Sequence, residues 1–169
     1  AASGMSDLSH LAVSTLLATG VRASGLLSLD LENLRVHDGR LIATVTLKGG
    51  EPHDLPLPDS AADVIDRIRG ERTTGPLLLG PHGRWSYDAL HETVVKAGVQ
   101  AGLSIRVTPH VLRATWATIA LSAGVSPAYV QSVMGHKNIT TTLKYDRRRD
   151  DLQRRAQAMD AVAAAIAAA

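Results

Sequence analysis

Cysteine is absent from this 169-residue chain. That excludes disulfides, thiol nucleophiles and cysteine-ligated metals, and it is compatible with a reducing compartment. Phenylalanine is absent too, and aromatic residues make up only 3% of the sequence, so the core has to be built from Leu, Val, Ile and Ala. No apolar run is long enough to span a bilayer, and no basic, apolar, small-residue leader precedes the folded part. A cytoplasmic protein with no membrane partner is the expectation. Net charge is low as well, at +2, and by itself points to no polyanionic partner.

What is present is charge in the wrong place for a uniform surface. Residues 1–100 carry 9 basic and 12 acidic side chains, residues 101–150 carry 7 basic and 2 acidic, and residues 151–169 carry 2 of each. The balances are therefore −3, +5 and 0, and the basic block is the signature of a polyanion site. The length suits one domain that buries about 70% of its unfolded surface.

The apolar pattern reads as a mostly helical α+β domain with one small three-stranded antiparallel sheet. Leu8, Leu11, Ala12 and Leu16 follow helical spacing, with Gly20 as the stop, and a short helix over 22–29 follows. The runs 34–36 and 41–47 flank Asp38-Gly39 as a hairpin, and Lys48-Gly49-Gly50 turns the chain into a third strand over 53–57. Asp59 or Ser60 caps a helix to Arg69, residues 76–79 are extended, and Gly80–Gly83 is a turn. Further helices are predicted after Ser86, after Thr108 and at Ser126-Pro127, with a short one leading to Tyr145. The alanine-rich residues 150–169 read as a terminal helix with Met159, Val162 and Ile166 along one side.

Within the basic block, His110, Arg113, His136 and Tyr145 lie inside 36 residues. Guanidinium and imidazole groups hold and neutralise a phosphodiester, and a tyrosine hydroxyl is one of the few side chains able to attack one. His110 and Arg113, three apart on a helix, share a face and can reach one phosphate. A phenol with a pKa of about 10 needs a base and positive surroundings to attack at neutral pH, and His110 is the candidate base. Tyr87 and Tyr129 are the rival phenols, in less basic sequence surroundings.

This arrangement resembles the catalytic domain of the tyrosine recombinases, the phage integrase family. Arg22 in Thr19-Gly20-Val21-Arg22 is similar to the family's first-arginine motif, and Lys48 occupies the place of its hairpin lysine. His110 and Arg113 match the His-x-x-Arg motif, His136 the Gly-His motif, and Tyr145 the nucleophile after a Thr-Thr pair. The resemblance runs from about Leu8 to Arg149. It implies site-specific DNA recombination through a 3′-phosphotyrosyl bond made by Tyr145, with no cofactor, metal or ATP. Lys48 would protonate the leaving 5′-oxygen, while His136 would hydrogen-bond the phosphate. Lys137, Lys144, Arg147, Arg148 and Arg149 would contact the DNA backbone.

The resemblance also implies a double-stranded DNA partner, a homo-tetramer on paired sites for the full-length protein, and no small-molecule substrate. It places the protein in a bacterial or phage setting, on the nucleoid. The family's DNA-clamping domain has no expected counterpart in this chain, which therefore reads as a single catalytic domain of a larger protein, with 150–169 docking in cis or in trans. One position departs from the family pattern: Gly25 stands where an acidic residue usually follows the first arginine. Asp30 and Glu32 are the nearby carboxylates that could orient Arg22 instead.

Other classes fit less well. A metal-dependent nuclease needs clustered carboxylates, and the basic block has only Asp146 and Asp150. No Gly-x-Ser-x-Gly elbow supports a serine hydrolase. Type IB topoisomerase chemistry, or a DNA-binding module with a decayed site, are the remaining alternatives.

Overall fold

The first helix shows how local chemistry sets the element boundaries. In the computed structural model, which describes residues 5–46, 52–135 and 138–146, α1 spans Asp7–Thr19. Ser6 caps it, its Oγ accepting from the Ser9 N–H at 3.3 Å, and Asp7 complements the positive end of the helix dipole. Gly20 closes it in the left-handed region at φ 64°, donating its N–H to the Leu16 carbonyl. Arg22 is then the N-cap of the short α2, Ala23–Leu27, and a 3-10 turn over Leu31–Asn33 leads into the sheet.

The predicted meander forms as β1 (Leu34–His37), β2 (Arg40–Thr46) and β3 (Pro52–Pro56), in the order β1-β2-β3 and antiparallel throughout. Asp38 and Gly39 both take positive φ, 49° and 74°, the combination that a two-residue hairpin turn needs to match strand twist. Register pairs Arg35 with Ile42 and Val45 with His53. Across the exposed face Arg35 binds Asp54, which also accepts from Thr44 at 3.0 Å.

Helix α3 covers Ala61–Arg69. The segment expected to be a plain turn is a small hairpin, β4 (Leu79–Gly80) with β5 (Gly83–Arg84). Helices α4 (Tyr87–Gln100), α5 (Pro109–Ser122), α6 (Pro127–Met134) and α7 (Ile139–Leu143) follow. Ser86, Thr108, Ser126 and Asn138 each cap the helix they precede through a side-chain oxygen. No helix among the described residues is long and apolar enough to cross a membrane. The terminal helix predicted over 150–169 lies outside the described residues.

The core is the phenylalanine-free one the composition requires. Leu11, Leu16, Leu26, Leu29, Leu77, Leu78 and Leu90 are at most 1% exposed and join α1, α2, α4 and the sheet. Each such leucine contributes about 2 kcal/mol by leaving water. A second cluster, Ala117, Leu121, Val130 and Met134, joins α5 to α6, and Trp116 and Tyr145 pack against it. The phenol of interest therefore rests on the same apolar floor that fixes α5 against α6.

Candidate active site

Arg22 and Arg113 are 91 positions apart and meet where α1, α2, α5 and α6 converge. Arg113 sits one turn into α5 and is 6% exposed. Its Nη1 donates to the Gly20 carbonyl and its Nη2 to the Met134 carbonyl, both short hydrogen bonds. Arg22 Nη2 donates to the Gly135 carbonyl at 3.2 Å. These carbonyls stand at the carboxyl ends of α1 and α6, where backbone acceptors lack helical partners and the dipole is negative. Gly135, at φ 53°, permits the left-handed turn that presents two of them side by side.

Arg113 bears the cost of this placement. Burial, and secondarily the like charge of Arg22, pull its pKa from the usual value down to about 10, against an upward pull from Tyr145. It stays charged at neutral pH, desolvated and beside a second cation. Such a pair is a preorganised receptor for an anion. Neither guanidinium makes an ion pair with a carboxylate among the described residues.

That last observation corrects the expectation for Asp30 and Glu32. Asp30 Oδ1 accepts from Arg84 Nη2 at 2.6 Å, and Glu32 Oε2 accepts from the Gly75 N–H at 2.9 Å. Asp30 is committed to anchoring β5, and Glu32 to the loop at Gly75. The Gly135 carbonyl holds Arg22 instead.

In front of the arginines is a cleft of about 300 Å³ lined by Arg22, Ala23, Tyr87, Pro109, His110 and Arg113. Ala23, Tyr87 and Pro109 are each the first residue of a helix, α2, α4 and α5 respectively. The positive ends of two 14-residue helices thus open on the same space as two guanidiniums, which is the environment a phosphate requires. His110, on the first turn of α5, is exposed in this cleft. A second cavity of about 290 Å³ is also lined by Arg22 and Arg113, together with Gly25, Thr46 and His53 among others. A Cβ on Gly25 would stand 3.2 Å from Val21 Cγ2, a tight contact, so a larger residue at this position requires Val21 to give way.

Tyr145 follows α7, its N–H donating to the Thr142 carbonyl at 3.0 Å. It is half-buried against the α5–α6 cluster and close enough to Arg113 to shift it electrostatically. Arg22, His110 and Arg113 therefore share one cleft, with Tyr145 near Arg113; spacing suggested the last three and the family resemblance Arg22. Lys48 and His136 lie outside the described residues, as do Lys137, Arg147, Arg148 and Arg149. Thr46 and His53, on the strands either side of Lys48, line the second cavity together with both arginines. Lys144 is exposed at the end of α7. Two lining residues were not placed beside the arginines by sequence order: Tyr87, weighed only as a rival phenol, and His53; both come from acidic or neutral stretches.

Residues 4–151 match the model of the phage integrase family. The chain belongs to that family. It is 34% identical over 139 residues to the tyrosine recombinase XerD of Staphylococcus aureus, covering 77% of this chain and 46% of that protein. Among solved structures, the XerH site-specific recombinase bound to its difH substrate before cleavage superposes with a TM-score of 0.76 at 20% identity, over 90% of this chain and 46% of that one. The integrase of mycobacterium phage Brujita superposes at 0.66 and 26% identity, over 92% and 52%. The chain spans about half the length of the curated relatives it matches.

Proposed function

We propose that this chain is the catalytic domain of a site-specific DNA recombinase that breaks and rejoins double-stranded DNA through Tyr145. The observation that carries this reading is the convergence of Arg22 and Arg113 in one cleft with His110, with Tyr145 electrostatically linked to Arg113. The scissile phosphate occupies the cleft, its non-bridging oxygens facing the two guanidiniums. Their charge, on Arg113 already desolvated, interacts most strongly with the extra negative charge of a pentavalent transition state.

Tyr145 Oη attacks phosphorus and the bond to the 5′-oxygen breaks, leaving a 3′-phosphotyrosyl bond and a 5′-hydroxyl. His110 accepts the phenol proton, and Lys48 donates one to the departing oxygen. His136 hydrogen-bonds a phosphate oxygen. Rejoining reverses these steps, so bond energy is conserved and no metal or ATP enters the scheme. Lys137, Lys144 and Arg147 to Arg149 add sequence-independent phosphate contacts. In the longer protein four copies act on paired sites, on nucleoid DNA of a bacterial cytoplasm, and residues 150–169 dock in cis or in trans.

A nicked duplex carrying a site selected from a random-sequence library tests this. In EDTA and without ATP it should yield a covalent protein–DNA adduct, absent with Tyr145→Phe. A metal requirement, or an adduct that survives the substitution, would refute the assignment. Relaxation of supercoiled plasmid of arbitrary sequence would indicate topoisomerase chemistry instead.

A further inference from the structure

Tyr87 lies in a stretch with little positive charge, yet its side chain lines the same cleft as Arg22, His110 and Arg113. It is the first residue of α4, a helix of 14 residues held at that end by the Ser86 cap, so the base of the side chain is fixed. Its ring is tilted 32° against the His91 ring one turn on, centroids 6.0 Å apart, which narrows the directions the phenol can take. The residue is 54% exposed, unlike a tyrosine used for packing. Its hydroxyl has no hydrogen-bond partner among the described residues.

We propose that Tyr87 is a DNA-contacting, positioning residue whose phenol O–H donates a hydrogen bond to a backbone phosphate oxygen in this cleft. The proposal rests on reading the cleft as the scissile-phosphate site. The choice of residue type has a physical logic. Two guanidiniums already repel one another there, and the more buried of them is held down to about 10 partly by its neighbour. A further cation beside these two guanidiniums would deepen that penalty. A phenol adds a directional donor with no charge, and its ring face can lie along a deoxyribose.

A neutral donor leaves a distinctive signature. Each cationic phosphate contact releases counterions and steepens the dependence of affinity on salt, whereas a neutral hydrogen bond does not. Anisotropy of a short fluorescein-labelled duplex of arbitrary sequence, titrated with the 169-residue chain between about 50 and 200 mM KCl, reads both quantities. Tyr87→Phe, which keeps the ring, should weaken Kd about 10-fold, the loss expected for a hydrogen bond to a charged group. Its salt slope and melting temperature should match the wild type. Arg22→Gln, in contrast, should lower the slope by about one.

An unchanged Kd for Tyr87→Phe overturns the proposal. A changed slope or melting temperature also overturns it, since the substitution would then act by disturbing the arginines. Failure of the wild-type chain to bind the duplex would remove the underlying reading of the cleft and this role with it. A covalent adduct lost with Tyr87→Phe and retained with Tyr145→Phe would make Tyr87 the nucleophile and exclude a positioning role.

Discussion

Gly20 joins the fold to the chemistry, and replacing it with alanine tests that connection. Its φ of 64° lies where an L-side chain is strained, and an added Cβ would stand 2.4 Å from Trp116 Cε3 and 2.6 Å from Cδ2. The left-handed conformation costs alanine about 1–2 kcal/mol. The ring must retreat by roughly an ångström to reach ordinary contact, and overpacking of that kind costs about 1–3 kcal/mol. Together Gly20→Ala should lose about 2–5 kcal/mol, or roughly 4–20 °C in Tm for a chain of this size.

The consequence for activity is separable. Trp116 follows Arg113 by three positions on α5 and shares its side of the helix. The carbonyl of Gly20 is itself one of the two acceptors that hold Arg113. A shift of the ring therefore moves both ends of that hydrogen bond. Adduct formation, measured well below the variant's Tm, should fall at least about 10-fold, because misplacement by an ångström commonly costs that much or more. Adding Trp116→Leu opens space for the new methyl, so the double variant should be more stable than the sum of the single losses predicts, by at least about 1 kcal/mol in a double-mutant cycle. A Tm for Gly20→Ala within a degree of wild type, or strict additivity in the cycle, would refute the steric argument.

Three further outcomes are expected. Arg113→Lys keeps the charge but cannot span the Gly20 and Met134 carbonyls while facing a phosphate, so adduct yield in single-turnover assays should drop about 100-fold or more. Leu121→Ala removes a side chain that is 0% exposed beneath Tyr145; chemical denaturation should show a loss of about 2–5 kcal/mol. The Arg35 guanidinium, followed by the Thr44 hydroxyl, holds the Asp54 carboxyl below its ordinary value. Its folded pKa is thus below its unfolded one, so that contribution is complete above about pH 4 and disappears as pH falls through the folded value. Asp54→Asn should flatten the acid limb of a Tm-against-pH curve; a limb identical to wild type would show the pair to be energetically silent.

How much of this was legible in the sequence depended on whether the cause was local. Caps and stops are local: Gly20, Ser86, Thr108 and Ser126 each act within one turn, and the helices fall where those residues put them. The hairpin at Asp38-Gly39 is equally local. The β4–β5 hairpin was missed because two residues per strand carry no periodicity; it is held by tertiary bonds, notably Arg84 to Asp30 and to the carbonyls of Leu27 and Leu29. Those bonds are also why Asp30 was unavailable to Arg22. Proximity in sequence suggested an ion pair, but the carboxylate faces the other way.

Site residues divide along the same line. His110 and Arg113 share a helical turn, and their spacing declares them. Arg22 was recognisable only through its resemblance to a family motif, since nothing around it is basic. Tyr87 had neither signal, and the charge count argued against it. The cleft explains why charge counting fails there. Its positive potential comes in part from the amino ends of α4 and α5, which are backbone dipoles and invisible to any tally of Lys and Arg. The same backbone supplies negative carbonyls at the ends of α1 and α6 to hold the guanidiniums from behind. Each arginine is thus gripped by helix carboxyl ends and aimed at helix amino ends. A carboxylate at residue 25 would hold Arg22 by opposite charge and offset part of what it offers a phosphate. Carbonyl dipoles hold it without neutralising it.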